Sequence, residues 1–352
     1  MKNLKYIICA FACVLLISAE SFAGNTDRAG EAGAYQLLMN PWARSSGLHG
    51  MNSASIKGIE AMRVNVGGLA YLDQTQVIVA RSIWWQGSDI SVTSAGFAQK
   101  IGDSGGVLGI SLMSTGVGEI DVTTTDNPEG TGATFRPTYF NMGIAYSREF
   151  SNAIRGGVTV RIINESIADV TASGIAVDAG ILYTAGDNDE ARFGIALRNV
   201  GTPMTYEGDG LSFSGNAPDG DYNITINSRA AKFELPSLLN IGVAYDFLLG
   251  ESNKITLMGN FISNSFTKDV LGAGIEFSLL DRFMLRAGYR YEANVFDDFE
   301  EQGRTNIHTG LSGGFSIDLP VSEDGPRFGI DYSYRTTNPY NGTHTLGVKL
   351  DL

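Results

Sequence analysis

From residue 76 to the C terminus the chain alternates between apolar positions and small or charged ones. Phe283, Leu285, Ala287, Tyr289 and Tyr291 form one series, and Met284, Arg286, Gly288 and Arg290 the other. Leu239, Ile241, Val243, Tyr245 and Phe247 likewise oppose Asn240, Gly242, Ala244 and Asp246. The last residues repeat it, with Leu346, Val348, Leu350 and Leu352 against Gly347, Lys349 and Asp351. A period of two predicts strands with one apolar face. Fourteen are predicted, near 76–83, 89–99, 106–114, 138–149, 153–163, 173–183, 191–199, 237–247, 254–262, 270–278, 283–291, 306–317, 327–335 and 342–352.

A soluble sandwich and a membrane barrel both hide such a face, so the count and the connections decide between them. Most segments have the length of a tilted strand crossing a bilayer, and their number is even, as in bacterial outer-membrane barrels. The three longest connections, 115–137, 200–236 and 292–305, fall on one side. The opposite side has short turns such as "LLDR" and "LGESN". Long outer loops over short periplasmic turns complete the pattern. The fold class predicted is all-β: a transmembrane antiparallel outer-membrane barrel of about 14 strands with an N-terminal plug. Its inward faces carry Gly, Ala, Ser and Asn with charges of both signs: Arg161, Asp178, Arg198, Asp246, Glu276, Arg286, Arg290, Asp331, Arg335 and Lys349.

The first residues change the compartment. Lys2 and Lys5 precede an apolar run over 6–19, and Ser21-Phe22-Ala23 supplies small residues before a cut after Ala23. This reads as a secretory signal peptide over 1–23. Residues 24–75 lack alternation and read as a periplasmic or lumenal hatch, a broken helix over 43–61 interrupted by Gly47, Gly50 and Gly58. Residues 76–352 form the barrel. Cys9 and Cys13 both lie in the leader, which leaves the mature chain no thiol chemistry. A net charge of −13 argues against nucleic acid. Three histidines, 49, 308 and 344, leave little for a metal site or a triad, and no catalytic constellation, metal or cofactor is predicted.

The stretch "AGAYQLLMNPWARSSGLHGMNSASIKGIEAMRVNVGGLAYL", residues 32–72, resembles the N-terminal signature of the PorV/PorQ family of FadL-like outer-membrane barrels. In that family an "ARxxGMGGA"-like segment leads to "NPAGLA". Here His49 replaces a glycine, and Val66-Gly67 replaces Pro-Ala. The resemblance implies an outer-membrane barrel with an N-terminal hatch in a Bacteroidota-type bacterium. It also implies a non-enzymatic role as a subunit or cargo-binding shuttle of a protein export or assembly machine, type IX secretion first. The partners expected are the translocon, the attachment complex or the barrel-assembly machinery, with the lipid bilayer around the chain. The alternative is a FadL-like channel for hydrophobic small molecules.

Within the hatch, Trp42, Arg44, Gly47, His49, Gly50, Asn65, Gly68 and Leu69 are the candidate anchors, with Arg44 reaching a lumen carboxylate such as Asp178, Asp246 or Asp331. "GLHGMN" lacks the Lys and the strand-loop-helix setting of a phosphate loop. Trp84 and Trp85, at the first outer turn, read as interface aromatics. "NVFDDFEEQG", with Asp297, Asp298, Glu300 and Glu301, reads as a solvated acidic loop. The connection 201–236, with Leu211, Phe213, Tyr222 and Ile224, is the candidate partner-contact loop.

Overall fold

Lipid offers a backbone no hydrogen-bond partner, so a sheet standing in it has to close. In the computed structural model it does. The structure describes residues 26–102, 105–250, 252–297, 304, 306–322 and 325–352. The leader with Cys9 and Cys13, and Asp298, Glu300 and Glu301 of the acidic stretch, lie outside the described residues.

The first strands are β1 (Thr75–Ile83), β2 (Ser91–Lys100) and β3 (Val107–Gly116). The next connection carries a small hairpin, β4 (Ile120–Asp121) and β5 (Thr134–Phe135). There follow β6 (Thr138–Ser151), β7 (Ile154–Ile167), β8 (Val170–Ala185) and β9 (Ala191–Gly201). A second loop hairpin is formed by β10 (Ser212–Asn216) and β11 (Asn223–Asn227). The wall then continues through β12 (Leu238–Leu248), β13 (Lys254–Asn264), β14 (Val270–Leu279) and β15 (Phe283–Glu292). It ends with β16 (His308–Pro320), β17 (Arg327–Thr337) and β18 (Thr343–Asp351). Setting the two loop hairpins aside, fourteen antiparallel strands pair in sequence order, and β1 closes the ring against β18, with Val79 opposite Val348.

The alternation in the sequence becomes the two faces of this wall. On β15, Met284 and Arg286 are buried in the lumen, while Phe283 and Leu285 stand on the outer surface, Leu285 62% exposed. Val160, Ile195, Leu271 and Val348 belong to the same outer apolar band. β7 and β8 run past their predicted ends and meet in a tight turn at Ala168 and Asp169. Apolar alternation fades there into Asn164, Glu165 and Ser166, yet pairing continues, with Asn164 donating to Ser173 at 3.0 Å.

Residues 26–74 occupy the lumen from one end to the other. Gly33 N–H donates to Glu234 on the long-loop side at 2.9 Å. At the far end Lys100 N–H donates to Gln74. Between these points the segment makes single turns rather than a helix: Tyr35–Leu38, Ala43–Ser46, Ile59–Arg63 and Val66–Tyr71. Gly50 and Gly58 adopt positive φ (74° and 71°) where the chain reverses. Leu37, Trp42, Leu48, Ile59 and Leu69 are almost fully buried against the wall. Bare glycines permit this approach. A Cβ at Gly180 would lie 2.2 Å from Asn65 Oδ1, and one at Gly242 2.2 Å from Ser53 Oγ.

The facing of β7 has a direct test. Thr159 is buried in the lumen and Val160 faces out. Val160→Arg is expected to lower the unfolding free energy in lipid vesicles by about 2–4 kcal/mol if the site lies at the bilayer midplane, and less nearer the interface. Urea unfolding with no loss at all would sink the lipid-facing assignment.

Candidate functional site

The lumen is organised in layers. At the long-loop end is an apolar cap. Ala34 and Leu37 of the N-terminal segment pack with Ile163, Ala172 and Ala176 of the wall and with Met204 and Leu235 of the connection 202–237. Tyr206 and Phe233, ring centroids 5.6 Å apart, pack against it. Glu165 ties the layer together: it accepts from Gln36 at 2.8 Å and from the Tyr206 hydroxyl.

Beneath the cap lies an arginine layer. Arg63 donates to the carbonyls of Met39 (2.8 Å) and Gln36, Arg198 to Leu37 O (3.3 Å), and Arg161 to Met62 O. Asp178 accepts from Arg161 at 2.8 Å and from the backbone of Asn199 at 2.7 Å. Burial, with Arg161 and Arg198 alongside, holds the Arg63 guanidinium well below its ordinary range. Further in, Trp42, Ile56, Ile59, Met62, Leu69 and Leu72 form a second apolar core with Ile78 and Ala98 of the wall.

At the opposite end is a polar cavity of about 420 Å³, lined among others by Arg44, Lys57, Glu60, Gln76, Asp331 and Lys349. Arg44 pairs with Glu276 at 2.8 Å, and Arg286 pairs with the same carboxylate at 3.0 Å. Glu60 accepts from Ser45 N–H at 2.9 Å. Burial, then the charge of Asp331, pushes its carboxyl up to about 7. Burial, helped by Arg192 and Lys254, brings the Lys57 ammonium down to about 8.

The predicted anchors all lie in this packing. Trp42 and Leu69 are core residues. Gly47 sits under Arg286, and its carbonyl accepts from Ser312 Oγ at 3.1 Å. Asn65 caps its own turn through Gly67 N–H and donates to Ser53 O and Ile181 O. A Cβ at Gly68 would meet Ile56 O at 2.2 Å. His49 precedes Gly50 at φ 54°, a left-handed conformation that a glycine takes with less strain.

Arg44 meets a lumen carboxylate, Glu276, while Asp178, Asp246 and Asp331 are engaged by Arg161, Arg192 and Ser316. Trp84 is buried, not at the lipid interface: it shares the parity of Ala80 and Ser82 and points inward with them. Trp85 turns at φ 57° and stacks on Tyr340 at 5.8 Å. In the 202–237 connection, Phe213 and Tyr222 are exposed on the β10–β11 hairpin, while Leu211 and Ile224 are half-buried. Sequence reasoning missed Glu60, Arg63, Glu165 and Arg192. Strand parity with Arg161 and Arg198 was the available signal for Glu165 and Arg192. Glu60 and Arg63 stand in a stretch without period and offered none.

No protein-family model matches the chain, and no curated protein matches it by sequence. Solved structures do. It is similar to the toluene transporter TodX of Pseudomonas putida, with a TM-score of 0.54, 14% identity, and 87% of this chain and 95% of that one covered. The toluene transporter TbuX of Ralstonia pickettii gives a TM-score of 0.55 at 12% identity, covering 88% and 97%. The CymD monoaromatic hydrocarbon channel gives 0.52 at 13%, covering 88% and 95%. What they share with this chain is the fold, a closed barrel of antiparallel strands.

Glu60 makes the packing of the segment depend on pH. Its folded pKa lies above the ordinary value of 4.5. Its protonated form therefore contributes stability that is fully present below about pH 4.5 and is lost as pH rises through about 7. The refolded barrel is expected to lose thermal stability between pH 5 and pH 8, and Glu60→Gln to reduce that loss. An identical pH profile in the variant would refute the assignment.

Proposed function

We propose that this chain is a non-enzymatic outer-membrane barrel that admits a hydrophobic small molecule, and that its own N-terminal segment closes it. The observation that carries the reading is the apolar cap at the loop-side mouth. There Leu37, Met204 and Leu235 form a buried apolar cluster, and the partly exposed Tyr206 and Phe233 pack over it, so that a molecule arriving from outside meets an aromatic lid on an aliphatic layer. Sites for apolar small molecules are commonly lined this way, with a few placed polar groups. The proteins of the same fold named above are transporters of toluene and a channel for monoaromatic hydrocarbons, which supports the same direction. The cap is followed by the arginine layer, so passage requires the segment to shift. It is held by hydrogen bonds and ion pairs with no covalent link, a form of closure that can be released.

A second reading is a subunit or cargo-binding shuttle of a protein export or assembly machine. It is favoured by the PorV/PorQ-like signature and by the exposed Phe213 and Tyr222 on the β10–β11 hairpin. Its partners would be other envelope proteins, recovered with the chain in stoichiometric amounts by affinity purification from the native membrane.

The channel reading is tested by locking the closure. Ala32 and Glu234 are bridge partners across the mouth. In cells lacking the gene, wild-type chain is expected to restore uptake of a labelled monoaromatic hydrocarbon. The Ala32→Cys, Glu234→Cys pair is expected to block uptake when oxidised and restore it on reduction. Uptake unchanged by deletion of the gene, or equal in locked and reduced cells, would overturn the channel reading.

A further inference from the structure

Where His49 meets the wall, the loop-side half of the lumen holds a layer of nitrogen atoms without partners. His49 and His308 stand edge to face with ring centroids 5.3 Å apart. Trp84 meets His308 in the same manner at 6.0 Å. The Arg335 guanidinium covers the Trp84 ring at 4.3 Å. All four residues are more than nine-tenths buried. Among the described residues, His49 Nε2, His308 Nδ1, Trp84 Nε1, and Arg335 Nε and Nη2 have no hydrogen-bond partner. Arg290, the next charged neighbour of both imidazoles, adds an unpartnered Nε.

The charge of this layer is as unusual as its donors. No carboxylate of the described residues lies within ion-pair distance of Arg335. The neighbouring Glu292 is taken by Arg290 at 3.1 Å and Asn306 at 3.2 Å. Buried polar groups are normally satisfied, and a buried guanidinium is normally paired. In a chain of net charge −13, a buried layer with an unpaired guanidinium and several orphan nitrogens lacks one thing, an anionic acceptor. A cation is repelled by Arg335. A neutral acceptor satisfies the N–H groups but leaves the guanidinium uncompensated. Each neutral imidazole donates to such a guest in the tautomer that carries its proton on the orphan nitrogen, Nε2 of His49 and Nδ1 of His308. His49 is carried here by its left-handed backbone, so the segment itself completes the layer.

We propose that this layer is a binding site for one small anion, a halide or a small oxyanion, held by Arg335, His308 and Trp84 of the wall and by His49 of the N-terminal segment. The anion would link the segment to β1, β16 and β17 and so reinforce the closed arrangement. The site is independent of what the barrel admits.

The experiment uses the purified, folded barrel. Crystals grown in bromide are expected to show an anomalous peak within hydrogen-bond reach of Arg335 Nη2 and an imidazole nitrogen. In parallel, thermal unfolding is compared in bromide, phosphate and gluconate at equal ionic strength, gluconate serving as the bulkier anion. A higher Tm in bromide points to a halide site, and one in phosphate to an oxyanion site. Both gains should vanish in Arg335→Gln. If that variant does not fold, Trp84→Phe keeps the ring, removes one donor, and should reduce the gain. Water in place of bromide with no Tm gain in phosphate, or equal gains in wild type and folded variants, would overturn the proposal.

Discussion

A peptide group exposed to hydrocarbon has nothing to bond with, and the rest of this molecule follows from that constraint. It forces the fourteen strands into a ring in which β1 pairs with β18. It gives the ring an outer face dominated by Val, Ile, Leu and Phe and turns most charges of the strands inward, with Arg81 of β1 left on the outer face. A ring of this size encloses a wide lumen, and here the chain fills it with itself. The filling segment must also satisfy its backbone, yet it has no room for long helices. Single turns and side chains do the work: Arg63, Arg161 and Arg198 together serve four carbonyls, and Asn65 serves two more and caps its own turn.

Two kinds of interaction hold the segment, and they do different things. The apolar cores around Leu37 and around Trp42, Ile59 and Leu69 remove surface from water. The ion pairs, Arg44 with Glu276 and Arg161 with Asp178 among them, are largely offset by the desolvation of their own charges. Their main contribution is position. A guanidinium that must reach one carboxylate and one carbonyl allows a single placement of the turn beside it. Closure is thus specific without a large apolar interface sealing the whole length of the lumen.

The barrel was legible because lipid imposes the same period on every crossing strand. The fourteen segments predicted from alternation correspond to the fourteen strands of the wall, and the short and long connections separate onto the two ends. Legibility stops where lipid stops. The tips of β7 and β8 turn polar while their pairing continues, so pattern alone ends them early. The lumenal segment could be recognised only by its lack of period, and its path and partners depend on contacts between residues more than a hundred positions apart, such as Gln36 with Glu165 and Arg44 with Glu276. Trp84 was misplaced for want of one step of parity counting. His49 has a plain physical content: the position takes a left-handed backbone, glycine would supply it with least strain, and histidine adds a side chain that the lumen must accommodate.

The connection 202–237 joins what the two functional readings separate. Its roots, Met204, Tyr206, Phe233 and Leu235, form the roof of the apolar mouth, and its tip carries Phe213 and Tyr222 on a hairpin exposed to the outside. Root and tip are coupled through backbone pairing: Met204 with Phe233 at the base, Thr171 with Glu207 along the side, and β10 with β11 above. At the base, Glu165 holds Tyr206 of the roof and Gln36 of the lumenal segment on one carboxylate. A displacement that separates Tyr206 from Glu165 removes a support that Gln36 shares, and Gln36 is in turn pinned by Arg63. An event at the outer surface, whether a small molecule entering the cap or a protein seated on the hairpin, therefore bears first on the same carboxylate, and through it on the closure of the lumen.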